Sequence, residues 1–165
     1  METITSRENA KIKYACAVRD SEKQRAADGL FFAEGPKLCL ELAKSCTPRA
    51  MYATAAALEK TPELAQFDPA VIAPHVAEKL SGTKSNQGVF ALFETPVPPA
   101  DTLDTARRIL MLEGVQDPGN VGTLLRSAAA FGFDAVVLGP GCASPLSPKT
   151  LRSSMGAAGR LPTLH

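Results

Sequence analysis

Two short stretches hold the residues with chemical reach. In Asp117-Pro118-Gly119-Asn120-Val121-Gly122-Thr123, an acid, an amide and two glycines stand where an apolar run, Ile109–Leu112, hands over to a helical pattern. Glycine lets the backbone take unusual φ and come close to a ligand. Asn120 is placed to cap the helix, and free N–H groups at a helix start attract phosphate or carboxylate. An ordinary capped turn between strand and helix accounts for the same residues. Arg126 follows, in a helix otherwise built from Leu124, Leu125, Ala128 and Ala129. A guanidinium there can grip a phosphate bidentately; a plain surface arginine would pair with Asp117 or Asp134. The second stretch is Ser147-Pro148-Lys149, then Arg152-Ser153-Ser154-Met155-Gly156. Ser147 has the character of an N-cap and Pro148 of a first helical residue. Lys149 and Arg152 are candidates for contact with a phosphate backbone. Ser153, Ser154, Gly156, Ala157 and Ala158 equally suit tight helix packing.

Some chemistries are excluded by what is missing. Neither GxxxxGK[ST] nor GxGxxG occurs, so the glycines are not those of a P-loop or a dinucleotide fingerprint. The two histidines, His75 and His165, lie away from both stretches, which argues against Ser–His–Asp or Cys–His catalysis there. No carboxylate cluster suggests a two-metal site, and no metal is expected.

The elements that must carry these residues read as α/β. A first helix, capped by Ser6, places Ile12, Ala15, Cys16 and Val18 on one side and Arg7, Lys11, Lys13 and Arg19 on the other. Residues 30–33 read as a strand, Gly35-Pro36 as a helix start, 49–53 as a strand, and 55–66 as helical up to a break at Pro62. Val71-Ile72 is a short strand, Pro74–Leu80 a helix, and 87–93 a strand. Residues 94–104 hold three prolines without apolar periodicity and read as a linker. The expected domains are therefore 1–93, a linker 94–104, and 105–165. The last begins with strand 108–114, helix 120–131 and strand Ala135–Leu138, a β-α-β unit with parallel strands.

Composition sets outer bounds. No run approaches ~18 apolar residues, so no membrane span is expected, and the N-terminus has no signal-peptide pattern. Cys16, Cys39, Cys46 and Cys142 form no CxxC pair and read as reduced thiols of a cytoplasmic protein. The net charge of +1 conceals a pattern: +2 over residues 1–49, −4 over 50–104 and +3 over 105–165. A polyanion can touch both ends.

Read together, LEGVQDPGNVGTLLRSAAAFG, a hydrophobic strand and SPKTLRSSMGA closely resemble the SpoU (TrmH-like) branch of the SPOUT RNA ribose 2′-O-methyltransferases. The N-terminal half is similar to that family's substrate-binding domain, itself like a ribosomal protein. The matching pieces are Ser6, Asn9 and Lys13, then Arg25, then Phe32-Ala33-Glu34-Gly35, then Asn86-Gln87-Gly88. The resemblance implies a small α/β RNA-binding domain followed by the first part of a trefoil-knotted methyltransferase domain with a parallel sheet. It implies methyl transfer from S-adenosylmethionine to a ribose 2′-hydroxyl, of ribosomal RNA more than transfer RNA, by a homodimer. Arg126 matches the motif arginine regarded as catalytic, and Asn120 its asparagine partner. Asn9, Lys13, Arg25, Lys149 and Arg152 are the expected RNA contacts. The family's third motif, which makes most of the cofactor pocket, does not occur before His165. The cofactor-binding residues are therefore expected beyond His165, with a sheet edge or apolar surface left exposed. The rival expectation is a non-catalytic RNA-binding chain.

Overall fold

The computed structural model describes residues 2–83 and 85–165. The chain divides into two compact units, Met1–Glu94 and Thr95–His165.

In the N-terminal unit the first helix, α1 (Ala10–Asp20), is capped by Asn9, whose side chain accepts from Lys11 N at 2.9 Å. Ser6 is not the cap; its hydroxyl accepts from Glu8 N, short of the helix. Strand β1 (Thr3–Ile4) precedes α1, and α2 (Glu22–Asp28) follows it behind a Ser21 cap. The remaining elements are β2 (Leu30–Glu34), α3 (Pro36–Leu42), β3 (Pro48–Ala53), α4 (Ala55–Lys60), a 3-10 turn Pro62–Phe67, β4 (Ala70–Ile72), α5 (Pro74–Leu80) and β5 (Val89–Glu94). Pro62 ends α4, because its ring and missing N–H cannot continue the helix.

The sheet order is β1-β4-β3-β5-β2. β4 runs parallel to β1 and β3, while β5 is antiparallel to β3 and β2. β2 and β5 are buried on both faces, which explains their nearly continuous apolar sequence. Ile12, Ala15 and Val18 of α1 pack with Phe32, Phe90 and Leu92 on one face. Phe31 stacks on Phe93 with ring centroids 5.5 Å apart. Two arginines close helix ends within this unit. Arg19 donates to the carbonyls of Lys79 and Leu80 at the end of α5. Arg25 donates to those of Val18 and Arg19 at the end of α1.

The C-terminal unit holds α6 (Thr102–Thr105), β6 (Ile109–Leu112), α7 (Pro118–Ala130), β7 (Ala135–Leu138), α8 (Pro148–Ser153), α9 (Ala157–Arg160) and β8 (Thr163–Leu164). The first of these begins within the stretch read as linker and ends one residue past it. Its three strands are parallel in the order β6-β7-β8. β7 is central and buried, whereas β6 lies at an edge and leaves Ile109 and Met111 exposed. No helix among the described residues is long and apolar enough to cross a membrane.

Candidate functional site

The start of α7 is built by side chains that fold back on it. Asp117, not Asn120, is the N-cap: its Oδ1 accepts from Asn120 N at 2.9 Å. Pro118 fills the first helical position, where a missing N–H costs nothing. The helix thus starts two residues earlier than expected, and Asn120 sits within its first turn. A Cβ on Gly119 would lie 2.7 Å from Asp117 Oδ1, so a glycine there leaves room for the cap.

Helix α8 is drawn onto this turn. A Cβ on Gly122 would fall 1.8 Å from Ser153 Oγ and 2.7 Å from the Thr150 carbonyl oxygen. The two helices therefore meet nearly backbone to backbone. Ser153 Oγ lies within hydrogen-bond distance of Pro118 O at 3.2 Å as well as of the Lys149 and Thr150 carbonyls of its own helix, and Lys149 Nζ reaches Asp117 Oδ2 at 3.0 Å. Lys149 and the Asn120 N–H hold the Asp117 carboxyl below its usual range, so it is ionised at neutral pH. At its own start α8 is capped by Ser147, and the buried Thr150 donates to Ser144 O at 2.8 Å. The turn out of α8 puts Met155 at φ 52 and Gly156 at φ 82, both in the left-handed region. Met155 is exposed there.

Arg126 is exposed, and its guanidinium makes no hydrogen bond or ion pair with another described residue. Neither partner considered from the sequence takes it. Asp117 holds Lys149, and Asp134 accepts from the backbone N–H groups of Arg107 and Arg108 at 2.9 Å each. Arg152 is half-buried and likewise unpaired. By helix geometry Arg126 lies one turn beyond Gly122, on the flank toward α8. Asn120 is about 9 Å back along the axis and about 120° around it. These two motif residues do not hydrogen-bond each other within this chain.

The expected RNA contacts of the N-terminal unit divide differently. Lys13 is exposed and pairs with Glu8 at 2.6 Å. Asn9 spends its side-chain oxygen on capping α1. Arg25 is corrected: it is 8% exposed, with its guanidinium on two helix-end carbonyls, and presents nothing to RNA. The expectation comes from the family resemblance, which carries no information on whether the side chain is buried. Sequence reasoning also missed the task of Glu34. This buried carboxylate accepts from Ser81 Oγ at 2.6 Å, Gly82 N at 3.0 Å and Thr83 Oγ1 at 2.9 Å, fixing the loop ahead of β5. The signal available was an acid at the end of a strand otherwise wholly apolar.

The strand-end loops of the C-terminal unit bind each other. Gly114 N donates to Pro140 O at 2.9 Å, Gly139 N to Leu112 O at 2.7 Å and Ala143 N to Val115 O at 2.9 Å.

Comparison with known proteins meets this arrangement at both units. Residues 107–165 match the SpoU rRNA Methylase family, and residues 9–91 match the MRM3-like substrate binding domain. The 23S rRNA (guanosine(2553)-2′-O)-methyltransferase RlmP of Bacillus subtilis is 49% identical over 67 residues, 41% of this chain and 27% of that protein. A tRNA/rRNA methyltransferase of Synechocystis, described as uncharacterized, is 34% identical over 97% of this chain and 61% of its own length. The AdoMet-bound rRNA methyltransferase of Sinorhizobium meliloti shares the fold, with a TM-score of 0.81 at 24% identity over 99% of this chain and 64% of that one. The chain thus spans less than two thirds of each of these relatives. With a substrate-binding domain and a SpoU domain matched in that order, the chain belongs to the SpoU rRNA methylase family.

Proposed function

We propose that this chain is the RNA-engaging part of a methyltransferase that acts on a ribose 2′-hydroxyl, of ribosomal RNA in preference to transfer RNA. Residues 1–93 serve as the substrate-binding domain, 94–104 as the connection, and 105–165 as the methyltransferase portion. The observation that carries the reading is the exposed, unpaired Arg126 beside a helix that bears Lys149 and Arg152. A cation without an internal partner, on a rigid helix, is poised for an external anion. The matched families and the names of the relatives support RNA as that anion.

The chemistry limits what Arg126 can do. A guanidinium stays protonated in proteins, so it is no base for the hydroxyl proton. It can grip the phosphate next to the reacting ribose, align the hydroxyl, and stabilise oxyanion character as it develops. Lys149 and Arg152 hold the flanking backbone; Lys13 adds a contact from the N-terminal unit. Asn120 serves the reaction from the other flank of α7.

The methyl donor is S-adenosylmethionine, which the Sinorhizobium meliloti protein of the same fold holds. The described residues do not fit it as they fit RNA. A sulfonium is a cation, and the free side chains around α7 divide: Arg126 and Arg152 are cations that suit phosphate, whereas Glu113, exposed and unpaired just beyond β6, is an anion. Three backbone amides of the strand-end segments, those of Gly114, Gly139 and Ala143, are spent on carbonyls across the pair. The acceptor side of the reaction is thus the side these residues supply, which also keeps RNA binding without transfer as the second reading.

The test is binding and transfer on the same protein. Ribosomal RNA should bind with a salt-dependent affinity, and Arg126→Ala should weaken it and lower the salt slope by about one. In a protein that carries these residues together with the family's third motif, labelled S-adenosylmethionine should give a product that resists alkaline cleavage at one linkage, since a 2′-O-methyl group blocks it. Arg126→Ala should abolish that product and leave donor binding unchanged. Methyl groups found on bases, or no RNA binding, would overturn the proposal. RNA binding without transfer would favour the second reading.

A further inference from the structure

The N-terminal unit has a cleft of about 680 Å³ at the carboxyl ends of the parallel strands β1, β3 and β4. Crevices at such strand ends are where open α/β sheets take ligands, and the volume lies within the ~300–1,000 Å³ of small-ligand sites. Its walls are aliphatic, formed by Ala55, Ala56, Ala73 and Pro74. Its polar groups are mostly uncharged: the hydroxyls of Thr3 and Thr5 and the amides of Asn86 and Gln87. One lysine, Lys60, and one glutamate, Glu78, add no net charge, and Glu78 is tied to Arg7 at 2.7 Å.

The amide rim is fixed from both sides. On one side Glu34 grips Ser81, Gly82 and Thr83. On the other, Thr54 N donates to Gly88 O at 2.8 Å. Gly88 sits at φ 70, and a Cβ there would lie 2.4 Å from Thr54 Oγ1, so only glycine lets the loop press this closely on β3. Asn86 Oδ1 accepts from Gly88 N at 3.1 Å, which sets the plane of that carboxamide and leaves its NH2 group to donate. Gln87 is exposed, with no partner among the described residues. Lys60, also exposed and unpaired, stands at the edge.

A flat ligand with donors and acceptors on its rim and no charge in its plane matches these walls and amides. We infer that the cleft receives one unstacked nucleobase of the RNA, read by Asn86 and Gln87, with its phosphate toward Lys60. Single-stranded RNA is recognised in this way, by splayed bases whose edges meet side-chain hydrogen bonds, and carboxamides pair with base edges in two-point contacts. The inference rests on RNA being the substrate.

The experiment uses the full chain and a single-stranded RNA carrying 4-thiouridine. Irradiation should crosslink the RNA to peptides holding residues 55–60 and 85–88. Ala56→Trp, on the exposed side of α4, should fill the cleft and weaken RNA binding by about tenfold or more, and Gln87→Ala by roughly fivefold or more. Both should keep the wild-type circular dichroism and Tm. Unchanged affinity in both variants, with crosslinks elsewhere, would overturn the cleft assignment and leave RNA as the substrate. Free nucleoside monophosphates binding as tightly as the RNA would assign the cleft to a free nucleotide instead. A wild-type chain that does not bind RNA would overturn both readings.

Discussion

Gly122→Ala adds one methyl group where α7 and α8 touch. The new Cβ would meet Ser153 Oγ at 1.8 Å, Ser153 Cβ at 2.8 Å and the Thr150 carbonyl oxygen at 2.7 Å. The hydroxyl can rotate away, but the Thr150 oxygen is backbone, so α8 must move. Overpacking of this kind costs about 1–3 kcal/mol. Alanine returns about 0.5–1 kcal/mol as the better helix former. The net expectation is a loss of about 1–2 kcal/mol, a factor of roughly 5–30 in the folded-to-unfolded ratio. Tyrosine fluorescence cannot report it, because both tyrosines, Tyr14 and Tyr52, lie in the N-terminal unit and the chain has no tryptophan. Amide hydrogen exchange resolved to the α7 and α8 peptides can. Protection there should fall by that factor while the peptides of β2 and β5 exchange as before. Ser153→Gly in the Gly122→Ala background removes two of the three contacts and should recover part of the loss. A Gly122→Ala protein with protection equal to or above wild type would refute the claim that these helices meet at their backbones.

Three further outcomes follow from single residues. Arg25→Ala should cost roughly 2 kcal/mol in denaturant unfolding, because two helix-end carbonyls lose a charged donor; it should not change the salt slope of RNA binding. Asp117 should matter in the order wild type, then Asp117→Asn, then Asp117→Ala, since asparagine keeps the cap and loses only the ion pair. Because the folded Asp117 carboxyl sits below its usual range, its stabilisation is present at neutral pH. It is lost as pH falls through that lowered value, so α7 protection should drop in acid for wild type but not for Asp117→Asn. Burial pushes the Tyr52 hydroxyl up to about 12. A raised folded pKa gives stability that is whole below the unfolded value of about 10 and is lost as pH rises through the folded one. Absorbance titration of wild type and Tyr52→Phe should show that late transition in the first protein alone.

What the sequence made legible was what strong local patterns encode. Ala135–Leu138 is apolar because it is the buried centre of a parallel sheet, Ile109–Leu112 is an apolar edge strand beside it, and the helix between them carries its own start signal. Two-residue strands gave no such signal: β1 and β8 exist through pairing with β4 and β7, and their sequences alone are too short for any period. The Asp117 cap was misassigned to Asn120 because either residue type caps well, and only the backbone decides which one stands outside the helix. Arg25 is an expected RNA contact through resemblance alone, and resemblance does not locate a side chain. Its burial depends on α2 turning back across the end of α1, which a Ser21 cap permits but does not announce.

The small residues and the cations of the second motif fit two readings, tight packing and phosphate contact; the geometry shows the packing, and the proposed phosphate contact would depend on it. Gly122 admits Ser153 and Thr150. That approach lets Lys149 reach Asp117 and lets Ser153 reach the Pro118 carbonyl. Lys149 is thereby held in place at the surface, while Arg126 and Arg152 stay unpaired on neighbouring helices. A larger residue at position 122 would therefore do more than loosen a core. On the proposed function it would also spread the cations offered to one stretch of RNA backbone, so Gly122→Ala should lose more RNA affinity than its stability loss accounts for. The refuting result is an affinity that, corrected for the folded fraction, equals wild type.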